Sequence, residues 1–264
     1  MSSIENGGKQ HKNVKTSDYS YNAQDNLEKM QEAVNYNRYQ INFITREASK
    51  FGNKQLKILD FGAGIGTYAD MLKKQGYSVD CVEIDPREKD ILNGNGYKVY
   101  EGIGQVQSNY DIIYSLNVLE HIENDAEALE KLKSCLSKDG VIIIFVPAFQ
   151  LIFTQLDVIA DHFRRYSKKD ITSLAAKTNL TVKVKYCDPL GFISALIYRI
   201  VGGSGKLNAG SIQIFDKVIF PISMFIEPLT KSLFGKNILA IFTNPINDKL
   251  NDTSSSKLDN DLSI

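Results

Sequence analysis

The sequence predicts a doubly wound α/β fold, in which helices cover both faces of a seven-stranded sheet. From residue 56 to residue 147, short apolar runs alternate with segments whose apolar residues recur at helical spacing. One run, VIIIFVP at 141–147, is apolar throughout, which is typical of a strand buried on both faces of a parallel sheet. A glycine-rich stretch, LDFGAGIGTYAD at 59–70, joins the first strand to the next helix, where such folds commonly bind ligands.

The first part of the chain has a regular order of elements. Residues 25–50 show helical spacing that is interrupted by the polar and aromatic run NYNRY at 35–39. Asn124, followed three residues later by Glu127, predicts an N-terminal cap for the helix before the central strand. The predicted strands are 56–61, 77–85, 97–102, 110–117 and 141–147, and the helices between them are 66–76, 87–96 and 124–140.

The order is looser after Pro147. A connection over 148–167 precedes a predicted helix at 168–179 and a strand at 180–187, and the last strand is predicted at 237–244. Strands separated by helices indicate right-handed crossovers and therefore a parallel sheet over most of its width.

Residues 189–235 predict a helical insertion before the last strand, because they are apolar and aromatic with sparse charges. Three interpretations stay open for it: a lid over the site, a peripheral contact with a membrane, or packing against the sheet or a second subunit. We expect one domain over 25–245, flanked by flexible polar tails at 1–24 and 246–264.

Composition limits the function classes. Lysine plus arginine number 31 and aspartate plus glutamate also number 31, so no basic surface for nucleic acid is expected. The three cysteines form no CxxC pair, which favours a reducing cytoplasm. The three histidines, at 11, 121 and 162, are not at ligand spacing with one another or with cysteine, so no metal site is predicted.

The glycine loop predicts a nucleotide-like ligand. Glycines allow close approach of the backbone, and the N-terminus of the following helix offers N–H groups to negative charge. A dinucleotide would favour GxGxxG, whereas here Thr67 stands where the last glycine would be. Glu83 ends the second strand, where a carboxylate accepts hydrogen bonds from a ribose diol.

Four motifs resemble those of the class I S-adenosylmethionine-dependent methyltransferases. They are LDFGAGIGTYAD, VEIDP at 82–86, the fourth-strand run YDIIYSLNVLEHIEND at 110–125, and LSKDGVIIIFVP at 136–147. The resemblance implies a Rossmann-like sheet and S-adenosylmethionine as the cofactor. It implies that Glu83 binds the ribose and that Ile84 lies against the adenine. It also implies that the methionine portion is held by Asp60, Gly62, Ala63, Gly64 and Gly66. The floor of the pocket would be formed by Asn117, Val118 and Leu119.

The segment DHFRRYSKKDI at 161–171 is the predicted acceptor side. His162 carries an imidazole, whose ordinary pKa suits proton abstraction near neutral pH, and Arg164 and Arg165 would grip a phosphate or carboxylate. The runs NYNR, HFRRY and DPLG resemble a narrower, small-molecule branch of the family, often found beside enzymes of glycan or lipid-linked sugars. By position, Tyr36 and Arg38 would close over the cofactor carboxylate.

The sequence therefore predicts methyl transfer, most simply at oxygen, to a small-molecule or lipid-linked glycan-type acceptor. Two alternatives stay open: an NAD-dependent oxidoreductase, and a cofactor-binding partner subunit without activity of its own. Neither the acceptor nor the oligomeric state follows from the residues. We expect a cytoplasmic protein with a peripheral membrane contact, if any, through 189–235.

Overall fold

The computed structural model describes residues 31–201, 209–230 and 233–245. The strands are β1 Ile58–Phe61, β2 Val79–Val82, β3 Lys98–Tyr100, β4 Tyr110–Leu116, β5 Leu136–Pro147, β6 Thr181–Cys187 and β7 Asn237–Thr243. The α-helices are α1 Val34–Ser49, α2 Thr67–Lys73, α3 Pro86–Gly94, α4 Asp125–Ser134, α5 Gln155–Ile159, α6 Lys168–Lys177, α7 Pro189–Val201, α8 Ala209–Ile214 and α9 Phe220–Ile226. The tails predicted at 1–24 and 246–264 lie outside the described residues.

The seven strands form one sheet in the order β3-β2-β1-β4-β5-β7-β6. Strands β1 to β5 are parallel to one another, whereas β7 is antiparallel to both β5 and β6. The order reverses at β1, so the carboxyl ends of β1 and β4 lie side by side at the point where doubly wound sheets bind ligands. The predicted fold class is confirmed.

Alternate residues of the central strands enter two separate cores. On one face, Ile143 and Phe145 of β5 pack with α1 and α2, and on the other face Ile142 and Ile144 pack with α4 and α6. Because successive side chains of a strand point to opposite faces, the apolar run at 141–147 supplies both cores at once. The prediction of helices on both faces is confirmed.

The helix predicted at 124–140 is shorter than expected. Asn124 caps it as predicted, accepting a hydrogen bond from the N–H of Glu127, but the helix ends at Ser134. The following residues begin β5, where Leu136 pairs with Tyr110 and the register shifts before the regular pairing starts. Pairing with β4 therefore overrides the local helical pattern of this segment.

The insertion before β7 is helical, as predicted. Helix α7 is followed by α8, a π-helical turn at Phe215–Ile219, α9 and a 3₁₀ turn at Glu227–Thr230. Asp216 joins the insertion to the sheet domain, because its carboxylate accepts the N–H groups of Asn35 and Tyr36 at the start of α1. Within the described ranges, no helix has both the length and the hydropathy needed to cross a membrane.

Candidate active site

The glycine loop after β1 needs glycine for two reasons. Gly62, Gly64 and Gly66 have φ angles of +80°, +55° and +88°, a region that side chains disfavour. A Cβ atom on Gly62 would also lie 2.5 Å from Cγ2 of Val118, which follows β4. The absence of a side chain therefore lets the loop lie directly against the end of β4.

The same loop is tied to the end of β2. The N–H groups of Gly62 and Ala63 donate to the carbonyl oxygen of Val82 at 2.9 and 3.1 Å. These bonds hold the backbone of the loop in one conformation without using a side chain. The loop thus forms a cradle between β2 and β4.

Glu83 lies beside this cradle and is held entirely by backbone groups. One carboxylate oxygen accepts the N–H of Gly64 at 2.7 Å, and the other accepts those of Ile84 at 2.7 Å and Asp85 at 2.9 Å. A carboxylate has about four lone-pair sites, so further acceptor capacity remains. The adjoining Ile84 side chain is 76% exposed and offers an apolar surface next to the carboxylate.

Asp60 is the next-to-last residue of β1, two residues before Gly62. It is buried, and one oxygen accepts the hydroxyl of Tyr114 at 2.7 Å. Burial raises the pKa of Asp60 to about 7, the Tyr114 hydrogen bond opposes the rise, and the charge of Glu83 adds to it. A positively charged group at this position would favour the ionised form.

The residues after β4 differ in their orientation. Asn117 has a φ of +56° and its N–H donates to the carbonyl of Phe145 at 2.7 Å, while Val118 packs on the glycine loop. Leu119, in contrast, has a fully buried side chain in the core of the α4 and α6 face. The expectation that Leu119 lines the pocket is corrected, because the 3₁₀ turn after β4 places its side chain in the core.

Tyr36 and Arg38 do not converge on one site. The Tyr36 hydroxyl accepts a hydrogen bond from Asn237 at 2.9 Å in the core, whereas Arg38 lines a groove of about 560 Å³ together with Lys183 and Glu227. Residues two apart on a helix point about 200° apart, so they cannot share a target. The expectation that both close over the cofactor carboxylate is therefore corrected. The run at 35–39 contacts the insertion instead, because the N–H groups of Asn35 and Tyr36 donate to the carboxylate of Asp216.

In the segment predicted to face the acceptor, Asp157 brings His162 and Arg165 together. Nδ1 of His162 lies 2.9 Å and Nε of Arg165 lies 2.7 Å from the same oxygen of Asp157. Burial alone would raise the pKa of Asp157, but the hydrogen bonds from His162 and Arg165 outweigh it and lower the pKa to about 2. The ionised carboxylate therefore orients the imidazole.

Neither arginine of this segment is open to an anion. The Arg165 side chain is only 9% exposed and is paired with Asp157, and Arg164 pairs with Asp125 at 2.8 Å and with the carbonyl of Glu123 at 2.7 Å. The expectation that both arginines grip a phosphate or carboxylate is corrected, because internal acceptors already use their guanidinium groups. Arg165 acts through Asp157 in this structure.

Sequence reasoning missed a cluster of Glu120, His121 and His162. Their ligand atoms lie within 4.8 Å of one another, although the expectation from histidine spacing was that no metal site exists. Burial raises the pKa of Glu120 to about 8, and burial together with His162 lowers the pKa of His121 to about 4. The adjacent Glu-His pair was the available signal, but its partner comes from a distant segment.

A methyltransferase domain family model matches residues 30–183, which is more than half of the chain. The chain belongs to this family. The methyltransferase domain thus comprises the glycine loop, Glu83, the residues after β4 and the His162 segment.

Two curated proteins are also similar to this methyltransferase in sequence. The mitochondrial ubiquinone biosynthesis O-methyltransferase of Schizosaccharomyces pombe is 26% identical over 145 residues, covering 49% of this chain and 52% of that protein. The ubiquinone biosynthesis O-methyltransferase of Rickettsia canadensis is 32% identical over 101 residues, covering 34% of this chain and 42% of that protein. The chain thus spans about half the length of the curated relatives or less.

The structural comparison agrees on the fold. The plantazolicin methyltransferase BamL, solved with a triazolic desmethylPZN analogue and SAH, aligns with a TM-score of 0.58 at 12% identity. The alignment covers 88% of this chain and 91% of that one. At this identity the likeness concerns the fold alone.

Proposed function

We propose that this methyltransferase transfers a methyl group from S-adenosylmethionine to an oxygen of a small-molecule or lipid-linked acceptor. The observation that carries the proposal is the cradle at the carboxyl ends of β1, β2 and β4. There Gly62 lies against Val118, and Glu83 is fixed beside the loop by three backbone N–H groups. The two curated relatives are named O-methyltransferases, which supports oxygen as the acceptor atom.

The residues of the cradle fit this cofactor. Asp60 and the loop from Gly62 to Gly66 would hold the methionine portion, where a buried carboxylate favours a cation. Glu83 would accept the ribose hydroxyls with its remaining lone pairs, and Ile84 would cover the adenine. When bound, S-adenosylmethionine supplies an electrophilic methyl group on a positively charged sulfur.

His162 is the candidate general base. Its Nδ1 faces Asp157 at 2.9 Å, so the tautomer with a proton on Nδ1 leaves the lone pair of Nε2 for the proton of an acceptor hydroxyl. Arg165 is a positioning residue, because it holds the carboxylate that orients this imidazole. A hydroxyl acceptor needs such a base because a neutral hydroxyl is a weak nucleophile.

The insertion supports an amphiphilic acceptor. Phe225, Leu229 and Leu233 have side chains that are 81%, 75% and 73% exposed, and Ile200 and Val201 are similarly exposed. An exposed apolar surface of this kind is suited to contact with a bilayer interface or with the apolar part of an acceptor. We therefore extend the proposal to a peripheral membrane contact through 189–235.

Calorimetry with S-adenosylhomocysteine tests the cofactor assignment, and transfer of a labelled methyl group to extracted small molecules and lipids tests the reaction. We expect micromolar binding of S-adenosylhomocysteine and labelling of an acceptor that is lost in His162→Ala while cofactor binding is kept. Binding of NADH instead would favour the oxidoreductase alternative. No labelling by the protein alone, with activity of a complex containing it that is unaffected by both His162→Ala and Arg165→Ala, would favour a partner subunit without activity of its own.

A further inference from the structure

We propose that Glu120, His121 and His162 form a binding site for a divalent transition-metal cation. Glu120 and His121 lie in the 3₁₀ turn Leu119–His121 after β4, and His162 follows α5. The N–H of Phe163 donates to the carbonyl of Glu120 at 2.9 Å, so the two segments are joined beside the cluster. The fold thus brings together two imidazoles and a carboxylate from distant parts of the chain.

The distances are close to those of a ligand set. Nε2 of His162 lies 4.0 Å from Oε1 of Glu120, and the rings of His121 and His162 are 4.6 Å apart at 83°. Nitrogen and oxygen ligands bind such cations at about 2.1 Å, which puts neighbouring donors about 3 to 3.4 Å apart. Small side-chain rotations therefore bring the three donors onto one ion.

The hydrogen bonding of Glu120 is an independent observation that points to a bound ligand. Its side chain is fully buried, and neither carboxylate oxygen has a hydrogen-bond partner in the part of the chain that the structure describes. Burying a carboxylate without a partner is costly, so natural proteins pair such groups or use them to bind metals. A cation between the carboxylate and the two imidazoles would give this buried carboxylate a partner.

The surroundings orient the His162 imidazole as in known metal sites. The carboxylate of Asp157 is hydrogen-bonded to Nδ1 of His162, so Nε2 of that ring is directed towards Glu120. Asp157 also accepts hydrogen bonds from Arg165 and from the N–H of Thr154, the latter at 2.8 Å. Metal-binding histidines commonly donate their second nitrogen to a carboxylate in this way. His121 is the solvent-facing member of the cluster and leaves an entry path.

The donor set selects the class of metal. Two nitrogens and one oxygen suit Zn²⁺, Mn²⁺, Fe²⁺ or Co²⁺ better than Mg²⁺ or Ca²⁺, which prefer oxygen ligands. A bound cation would use the Nε2 lone pair that we assign above to proton abstraction, and would instead activate an acceptor hydroxyl directly. That catalytic role rests on the proposed function, whereas cation binding does not.

Metal binding to chelator-stripped protein tests the site without an acceptor. We expect one equivalent of Zn²⁺ or Co²⁺ by calorimetry, with a visible absorption band for Co²⁺. Glu120→Gln and His121→Ala should each weaken binding at least about 100-fold, and Asp157→Asn about 10- to 100-fold, as is typical of groups that orient a ligand. Glu123→Gln, an exposed neighbour outside the cluster, should bind as the wild type does.

The result that overturns the proposal is defined by the same titration. Absence of stoichiometric binding by the wild type would show that the cluster holds no metal. Binding by Glu120→Gln and His121→Ala that is as tight as that of the wild type would show the same. S-adenosylhomocysteine binding is measured on each variant in parallel. It reports on the proposed cofactor site separately, so failure of one proposal is distinguishable from failure of the other.

Discussion

The two halves of the site each contain a buried glutamate, and the two carboxylates differ in their hydrogen bonds. On the proposed cofactor side, Glu83 accepts three backbone N–H groups from residues next to it or in the adjoining loop. On the proposed acceptor side, Glu120 is fully buried, but neither of its carboxylate oxygens has a hydrogen-bond partner among the described residues. The Glu83 carboxylate is thus fixed by backbone groups around it, whereas the Glu120 carboxylate is left for the cation that we propose.

The difference follows from where each half takes its residues. The cofactor half is built from β1, the loop after it and the end of β2, which are neighbours in sequence and in the sheet. The proposed acceptor half joins the 3₁₀ turn after β4 to residues 148–167, because the N–H of Phe163 donates to the carbonyl of Glu120 and the hydroxyl of Tyr166 donates to that of Leu119. Five variants, three in the proposed cofactor half and two in the insertion, test these assignments in order of decreasing expected effect.

Gly62→Ala should have the largest effect, because the added Cβ collides with Val118 at a φ of +80°. We expect at least about 100-fold weaker S-adenosylhomocysteine binding and a loss of about 2–4 kcal/mol in the free energy of unfolding, from backbone strain and overpacking together. Calorimetry and urea unfolding measure the two quantities. Gly76→Ala is the matched control: its φ is +88° but nothing lies within 4 Å of the added atom.

The control separates strain from collision. Gly76→Ala should lose about 1–2 kcal/mol from its left-handed backbone and bind the cofactor analogue as the wild type does. Equal effects of the two substitutions would mean that contact between the glycine loop and β4 is unimportant.

Glu83→Ala should have the next largest effect. Loss of the carboxylate leaves ribose hydroxyls and the Gly64 N–H without an acceptor, which should weaken S-adenosylhomocysteine binding by about 1–3 kcal/mol, or 5- to 150-fold. Asp85→Ala serves as the control, because Asp85 accepts the N–H groups of Arg87 and Glu88 at the start of α3. It should cost about 1 kcal/mol of stability and leave affinity nearly unchanged; unchanged affinity in Glu83→Ala would reject the ribose assignment.

Asp60→Asn should change the pH dependence of stability. Burial raises the pKa of Asp60 to about 7 in the folded protein, above its ordinary value of 3.8, so the folded state retains a proton that the unfolded state releases. Wild-type stability should therefore fall between about pH 4 and pH 7, by at most about 1.4 kcal/mol per pH unit from this group. Urea unfolding at several pH values should show that slope reduced in Asp60→Asn, and an identical slope would place the titration elsewhere.

Phe225→Ser and Leu229→Ser should have the smallest effects on the folded protein, because both side chains are exposed on the insertion. If the insertion contacts a bilayer, each substitution should lower partitioning onto phospholipid vesicles about threefold to tenfold, since each removes apolar area from the contact. Co-sedimentation measures this partitioning. Val34→Ser, at an exposed apolar position outside the insertion, should leave it unchanged, and equal partitioning of all four proteins would exclude the membrane contact.

The order of strands and helices and the cradle residues could be predicted because their signals are local. Apolar periodicity, the glycines of LDFGAGIGTYAD and the acid at the end of β2 lie in short stretches, and each stretch acts through its own backbone. The helix over 124–140 was predicted too long for the same reason, since its end depends on pairing between Leu136 and Tyr110.

The tertiary structure alone decided the directions of side chains and the meeting of distant segments. Tyr36 and Arg38 share a motif in sequence, yet the helix turns them apart, and Arg165 faces Asp157 rather than open solvent. Glu120, His121 and His162 meet because β4 and the segment after α5 reach the same edge of the sheet. A sequence determines what a short stretch of backbone can form, whereas such clusters depend on packing between elements far apart in the chain.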